Sequence, residues 1–296
     1  MKKIAIIPNI LRDEHFENAK KIIEYLKSQN IEVVADNNLK EYNLDVTYQD
    51  LETYKDIDMA IITGGDGTIL SYSKKYINTD IPILGINHGN VGFLTELEKD
   101  DSEGLKSIIS GSYSVEKRPV IEVEHNGKSY YSINEASIHR GISPKMLDID
   151  IIIEDVSMNK FKADGLIVAT SSGSTAYSLS AGGPIIDPSV NAFVVTPVCP
   201  HNINIRSVVV SNEAEIKIKI KDSEQCTFAV DGNLIEEIKG NSEILIKKGG
   251  YLNTVRQGKN SFYKKLKRKI FEKEIWLCIL KNNATLKYWS LLKQKQ

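Results

Sequence analysis

A glycine-rich turn directly after a short apolar run constrains this chain more than any other feature. Residues 59–62 (Met-Ala-Ile-Ile) lead through Thr63 into residues 64–68, which read Gly-Gly-Asp-Gly-Thr. Glycines let the backbone pass close to a ligand and present bare N–H groups to it. Because ligands bind at the carboxyl ends of strands in an open α/β sheet, this pattern predicts a strand followed by a ligand-binding turn.

The residues after the turn indicate a site for a polyphosphate. Residues 69–76 can form a helix, and its positive N-terminus would face the same ligand. The carboxylate of Asp66 lies at the centre of the turn, where it can receive a proton or hold Mg²⁺. The alternative is a purely structural turn in which Asp66 caps the helix.

Length, charge and cysteine content exclude several classes of protein. The 296 residues are enough for two domains with separate cores. The formal net charge of −1 gives no overall surface potential that would attract nucleic acid or a membrane. The 3 cysteines lie far apart, which argues against a disulfide framework or a zinc site. No apolar run approaches the roughly 20 residues of a transmembrane helix. We therefore expect a cytoplasmic protein in a reducing environment.

Hydrophobic periodicity divides the chain into two parts. In the first part, short apolar strands alternate with helical repeats, which predicts a parallel sheet covered by helices. The strands are expected at residues 3–7, 31–34, 59–62 and 82–86. In the second part, short strand candidates follow one another. Residues 215–221 alternate strictly between polar residues and isoleucine, which is typical of a half-exposed strand.

These patterns predict the fold class and the domain boundaries. We expect an α/β domain with a Rossmann-like open parallel sheet over residues 1–117. An all-β, sandwich-like domain should cover residues 118–255. Residues 256–271, with a basic helix over 263–271, are expected to pack back on the first domain. Residues 272–296 form an atypical tail, interpreted as a helix docked on the body or on a neighbouring subunit.

Two further segments carry side chains suited to a polar ligand. Asn134 and Glu135 place an amide beside a carboxylate, a pair that can grip the vicinal diol of a ribose. Residues 164–184 run from a strand into a stretch dense in glycine and hydroxyl side chains, in which Tyr177 offers a flat face. The structural alternatives are a surface turn and a flexible loop, although the nearby apolar strand residues argue against a linker.

Several common functional motifs are absent from the sequence. Without G-x-x-x-x-G-K-[ST] there is no P-loop, and without G-x-G-x-x-G the ordinary Rossmann binding of a redox cofactor is disfavoured. Without G-x-S-x-G the serine-rich segment is not a hydrolase signature. The 5 histidines show no metal-ligand spacing, so we predict no metal site built from protein side chains.

Taken in order, the motifs closely resemble those of the NAD kinase family over roughly residues 1 to 271. The matching segments are the Gly-Gly-Asp-Gly-Thr turn, residues 86–96, Asn134-Glu135, residues 173–177, residues 196–201 and Asp231-Gly232. The resemblance implies transfer of a phosphoryl group from ATP or polyphosphate, with Mg²⁺ or another divalent cation, to the 2′-hydroxyl of the adenosine ribose of NAD. The product would be NADP. The resemblance also implies that NAD binds between two domains and that the enzyme is a homodimer or homotetramer.

The same resemblance implies roles for individual residues. Asp66 would accept the proton of the 2′-hydroxyl, and Gly64, Gly65, Gly67 and Thr68 would lie along the phosphates. The positions implied to bind NAD are Asp66, Gly67, Phe93, Asn134, Glu135, Asp164, Ser172, Thr175, Ala176, Tyr177, Ser180 and Asp231.

The chain departs from the family pattern at several positions. Residues 170–173 read Thr-Ser-Ser-Gly where the family has Thr-Pro-Thr-Gly, and the missing proline should loosen that loop. Asn233 stands in place of a glutamine, and Arg206-Ser207 stands in place of Arg-Pro.

Two other functions share part of the pattern. A lipid kinase of the diacylglycerol or sphingosine type has the same glycine-rich turn, but it does not account for residues 173–177 or the Asn134-Glu135 pair. A non-catalytic dinucleotide sensor would not need Asp66. The sequence leaves open whether ATP or polyphosphate is the donor and whether NADH is also accepted.

Overall fold

A computed structural model describes residues 1–10, 13, 16–50, 56–89, 92–142, 144–258 and 261–272. The strands are β1 (Lys3–Pro8), β2 (Glu32–Asp36), β3 (Thr47–Gln49), β4 (Met59–Gly64), β5 (Ile83–Asn87), β6 (Leu97–Glu98), β7 (Ser114–His125), β8 (Lys128–Ser132), β9 (Glu135–Arg140), β10 (Leu147–Ile153), β11 (Val156–Ala163), β12 (Gly165–Thr170), β13 (Ala192–Val198), β14 (Val208–Ser211), β15 (Ile216–Val230) and β16 (Asn233–Arg256). The α-helices are α1 (Glu17–Ser28), α2 (Asp66–Ser73), α3 (Ser102–Ile109), α4 (Tyr177–Ser180) and α5 (Ser261–Leu266).

The first part of the chain forms a parallel sheet in the order β3-β2-β1-β4-β5. Both faces of this sheet are covered by helices, which explains why its strands are almost continuously apolar. In β1, Ile4 and Ile6 pack with the apolar face of α1, whereas Ala5 and Ile7 pack with Ile69 of α2 on the opposite face. The predicted parallel strands are confirmed, and each differs from its predicted bounds by only a few residues.

The second part is an antiparallel sheet built around the long hairpin of β15 and β16. The strict alternation predicted for residues 215–221 is confirmed, because Ile216, Ile218 and Ile220 are buried in the core of this sheet while Lys217 and Lys219 are half-buried. One parallel bridge between Thr254 and Ile83 joins β16 to β5, so the two sheets are continuous. The predicted fold class, an α/β unit followed by a β-rich unit, is therefore confirmed.

The end of the described chain returns to the first sheet. The predicted basic helix is present as α5 followed by a π-helical turn over Lys267–Phe271. Arg268 in this turn faces Glu98 of β6, with 3.7 Å between Nη1 and Oε1. The predicted domain boundary at residue 117 falls inside β7, and the predicted boundaries stay predictions. Nearly all of the predicted tail, residues 273–296, lies outside the described residues.

No helix in the described part of the chain has the length and hydropathy needed to cross a membrane.

Candidate active site

Asp66 stands at the carboxyl end of β4, as the first residue of α2. Its carboxylate does not cap that helix. Instead, Oδ2 accepts the backbone N–H of Phe93 at 2.9 Å, and Oδ1 accepts the backbone N–H of Leu94 at 3.0 Å. The side chain remains 28% exposed. Main-chain donors therefore fix the orientation of a carboxylate that a ligand can still reach.

Glycine is required where two segments approach this carboxylate. A Cβ atom added to Gly92 would lie 2.2 Å from Oδ1 of Asp66, so any side chain there would displace the carboxylate. The hydroxyl of Thr68, two residues further along α2, accepts the side-chain N–H of Asn9 at 2.6 Å. The turn thus brings Asp66 against Gly92 and Thr68 against Asn9. Asn90 and Val91 of the matching motif lie outside the described residues.

Asp231 organises the Asn134-Glu135 pair. It occupies the turn between β15 and β16 with a φ of 49°, and its side chain is fully buried. Oδ1 accepts the hydroxyl of Ser132 at 2.8 Å and the backbone N–H of Asn134 at 2.8 Å. The backbone N–H of Asp231 donates in turn to the carbonyl of Glu135 at 2.9 Å. Asn233, the residue that replaces a glutamine, donates to the carbonyl of Asp231 at 3.3 Å.

Glu135 is a second buried carboxyl of the site. Its residue is 6% exposed, and Oε2 is buried without a hydrogen-bond partner in the described part of the chain. Burial, followed by the neighbouring charge of Asp231, raises the pKa of Glu135 to about 7, although the backbone N–H of Tyr177 acts in the opposite direction. At neutral pH this carboxyl can therefore either donate or accept a hydrogen bond.

Side-chain and main-chain hydrogen bonds hold the serine-rich segment against Asn134. The hydroxyl of Thr170 donates to the carbonyl of Ile133 at 2.7 Å and accepts the N–H of Gly173 at 3.0 Å. A Cβ atom added to Gly173 would lie 2.1 Å from the carbonyl oxygen of Asn134, so the two segments touch only because this residue is glycine. The structure therefore joins two of the predicted motifs.

The remaining predicted residues spread around this contact. Ser172 is buried and accepts Nη1–H of Arg118 at 3.0 Å. Tyr177 is 40% exposed, and the centroid of its ring lies 5.3 Å from that of the His139 ring. Asp164 forms an ion pair with Arg140 at 2.7 Å. The other three predicted residues belong to the same segment. Thr175 and Ala176 are half-buried, and Ser180 is exposed.

The sequence shows no cluster of cations for a phosphate, but the structure places two lysines beside carboxylates of the candidate site. Lys74, just after α2, lies 3.3 Å from Oδ2 of Asp231. Lys269, in the π-helical turn, lies 3.7 Å from Oδ2 of Asp66. Neither contact could be inferred from sequence spacing. The first joins residues about 150 positions apart in the chain, and the second joins residues about 200 positions apart.

A buried network of charges connects these segments. Glu96 is 3% exposed and accepts Arg256 at 2.7 Å and Lys265 at 3.1 Å. Burial acts to raise the pKa of Glu96. The positive charges of Lys265 and Arg256 outweigh this effect and hold the pKa of the carboxyl below its usual range. Arg256 also pairs with Glu116, which pairs with Arg118. The network therefore runs from α5 to the arginine that contacts Ser172.

The donor set of this site suits a divalent cation that arrives on phosphate oxygens. Among the described residues, no group of three or more His, Cys, Asp or Glu side chains is placed to hold a metal ion. Mg²⁺ prefers oxygen ligands and usually takes one or two carboxylates together with substrate phosphates. Asp66 offers one such carboxylate, with its oxygens already oriented and partly open.

Family models match most of the chain. The ATP-NAD kinase N-terminal domain matches residues 4–113, and the ATP-NAD kinase C-terminal domain matches residues 133–256. The NAD kinase of Methanothermobacter thermautotrophicus is 37% identical to this chain, covering 92% of it and 97% of the relative. The NAD kinase of Protochlamydia amoebophila is 41% identical, covering 74% of this chain and 79% of the relative.

Solved structures give the same result. An NAD kinase from Archaeoglobus fulgidus in complex with ATP is 28% identical with a TM-score of 0.71, covering 92% of this chain and 98% of that one. A yeast NADH kinase complexed with NADH, at 24% identity and a TM-score of 0.84, covers 92% of this chain and 88% of its own and shares the fold. Nothing in these comparisons supports a lipid kinase or a dinucleotide sensor. The chain therefore belongs to the NAD kinase family, whose members are phosphotransferases that act on an alcohol group.

Proposed function

We propose that Asp66 is the catalytic residue of this NAD kinase and receives the proton of the 2′-hydroxyl of the adenosine ribose. The observation that carries this proposal is the placement of Asp66 at the carboxyl end of β4, oriented by the N–H groups of Phe93 and Leu94 and still open to a ligand. A carboxylate fixed by main-chain donors does not have to reorganise when it accepts a proton.

The reaction follows from this geometry. The 2′-oxygen of NAD bonds to the terminal phosphorus of the donor, the bond from that phosphorus to its bridging oxygen breaks, and the hydroxyl proton passes to Asp66. The products are NADP and the shortened donor. Because phosphoryl transfer passes through a loose transition state, positioning and charge neutralisation contribute more than strong base catalysis.

On the acceptor side, we assign the adenosine to the Asn134-Glu135 pair. Asp231 holds the backbone of this pair. Oε2 of Glu135 is buried without a hydrogen-bond partner among the described residues, and a ribose or adenine polar group would supply one. We further propose that the dinucleotide is lined by Phe93, Asp164, Ser172, Thr175, Ala176, Tyr177 and Ser180. Gly67 would approach the same ligand through its backbone.

On the donor side, we propose that ATP binds along Gly64, Gly65, Gly67 and Thr68 at the start of α2. The ATP complex of the related Archaeoglobus fulgidus NAD kinase supports a triphosphate donor for this chain. A divalent cation, when bound to the donor, would neutralise phosphate oxygens beside Asp66. The homo-oligomeric state and the cytoplasmic location stay predictions from the sequence.

The direct test is an end-point assay of the purified protein with NAD, Mg²⁺ and either ATP or polyphosphate, in which an NADP-specific dehydrogenase reads the product. We expect NADP with ATP and none after EDTA is added in excess over Mg²⁺. A parallel reaction with NADH measures acceptance of the reduced dinucleotide. Absence of NADP with either donor, while NAD still binds, would favour a dinucleotide sensor and contradict the proposal.

A further inference from the structure

Lys269 brings a positive charge to Asp66 from the far end of the described chain. Its Nζ lies 3.7 Å from Oδ2 of Asp66 and 4.5 Å from the centroid of the Phe93 ring. The Lys269 side chain is 32% exposed, and the Asp66 side chain is 28% exposed. The ammonium group and the carboxylate therefore lie side by side, and both are partly open to solvent and to a ligand.

Three contacts hold the segment that carries Lys269. Lys265, one helical turn earlier, is 12% exposed at its side chain and donates to the carbonyl of Thr95 and to Glu96. The ring of Phe262 lies 6.1 Å from the ring of Phe93, between centroids. The ion pair of Arg268 with Glu98 is the third contact. All three are made to the stretch after β5 that also orients Asp66, so the position of Lys269 is tied to the reacting group.

We infer that Lys269 binds the phosphoryl group that is transferred, an inference that rests on the proposed role of Asp66. A carboxylate repels an incoming polyphosphate, and a cation at 3.7 Å offsets that repulsion. A partly exposed ion pair contributes little free energy, so the ammonium group can leave Asp66 for a phosphate oxygen at small cost. Lysine binds phosphate as a flexible point charge, and the Phe93 ring below it restricts where that charge lies.

The opposite interpretation is that Lys269 blocks Asp66 and must move away before NAD binds. The two interpretations predict different signs for the effect of removing the charge. Loss of a phosphate ligand slows the reaction with the donor, whereas loss of a blocking group accelerates it.

The test compares Lys269→Met and Lys269→Gln with Lys269→Arg, which keeps the charge. Lys267→Met is the matched control, because Lys267 belongs to the same π-helical turn but is 74% exposed and pairs with Glu272. For each variant, kcat and KM for ATP are measured with saturating NAD, and the dissociation constant of NAD is measured by calorimetry without a donor. The melting temperature of each variant confirms that it is folded.

We expect Lys269→Met and Lys269→Gln to lower kcat/KM for ATP by about 10- to 100-fold, the effect of losing one hydrogen bond to a charged group. The dissociation constant of NAD should change by less than about threefold, and Lys269→Arg should recover most of the loss. Lys267→Met should match the wild type.

Three results would overturn the inference. These are an unchanged or higher kcat/KM in both neutral variants, an equal loss in Lys267→Met, or a weakening of NAD binding as large as the loss of kcat/KM. Asp66→Asn, assayed in parallel, separates this inference from the proposal beneath it. If Asp66→Asn is inactive while the Lys269 variants are normal, only the role of Lys269 fails. If Asp66→Asn is fully active, the proposed role of Asp66 fails.

Discussion

Asp66 and Glu135 are both carboxylic acids of the proposed site, but the fold holds them in contrasting ways. Asp66 accepts two main-chain N–H groups, contacts Lys269 and keeps 28% of its side chain exposed. Glu135 is almost fully buried, has one oxygen without a hydrogen-bond partner among the described residues and has a pKa raised to about 7. The proposed reacting group is thus fixed and open, whereas the proposed recognition group is buried and only partly hydrogen-bonded within the described residues.

This difference shows which contacts each half of the site depends on. A side-chain substitution leaves the main-chain N–H group in place. The orientation of Asp66 therefore depends on the path of the backbone at Gly92 and Phe93. The Asn134-Glu135 pair relies more on a side chain, because the carboxylate of Asp231 accepts the N–H groups of Ile133 and Asn134, in addition to the contacts made by Thr170 and Gly173. The proposed dinucleotide half of the site should therefore be the easier half to break by a single substitution.

Asp231→Ala tests whether the Asn134-Glu135 pair depends on Asp231. It should change the free energy of unfolding more than Glu135→Gln does. It leaves the N–H groups of Ile133 and Asn134 without their acceptor and removes the partner of Lys74. We expect the free energy of unfolding to fall by about 3 kcal/mol, as for loss of one partner in a buried charged network. NAD binding should weaken at least about tenfold. The measurements are urea unfolding and calorimetry.

Asp45→Ala is the control for this variant, because Asp45 is 85% exposed and pairs only at the surface with Lys27. Its free energy of unfolding should stay within about 0.5 kcal/mol of the wild type. A loss below about 1 kcal/mol in Asp231→Ala would show that the pair is held by other contacts.

Glu135→Gln sharpens the comparison through its pH dependence. The pKa of Glu135 is raised from 4.5 to about 7, so the folded state binds more protons than the unfolded state between these values. Stability from this group is therefore present at low pH and is lost as pH rises through about 7. Between pH 5 and pH 8, we expect the wild type to lose about 2 kcal/mol more than Glu135→Gln. Urea unfolding at both pH values measures the difference, and identical pH profiles would contradict the burial argument.

Local patterns in the sequence were sufficient to predict the framework of the site. The apolar run before Gly64, the helix after it and the Lys/Ile alternation in β15 depend on neighbouring residues, and the structure confirms them. The motifs also led to the correct family. The roles of individual site residues stay proposals.

The contacts that complete the site could not be read from local patterns, because they join distant parts of the chain. Asp231 reaches back to Asn134, Lys269 reaches Asp66, and Arg118 reaches Ser172. Hydrophobic periodicity carries no information on such pairs, since it reports which face of an element is buried and not what meets it.

The position of the missing family proline illustrates what sequence patterns leave out. The φ of Ser171, −55°, is one that proline also adopts. Its side chain is buried, and its hydroxyl donates to the carbonyl of Pro188 at 3.2 Å, a contact that no local pattern indicates. That the loop is looser without the proline stays a prediction.

The central claim is that Asp66 receives the proton of the 2′-hydroxyl, and Asp66→Asn tests it most directly. The amide keeps the size of the side chain but cannot accept that proton. NADP formation is measured with saturating ATP and Mg²⁺, NAD binding is measured by calorimetry, and Asp45→Asn serves as the exposed control. We predict that kcat falls at least about 100-fold while the dissociation constant of NAD changes less than about threefold. A fall in kcat of less than about threefold would contradict the claim.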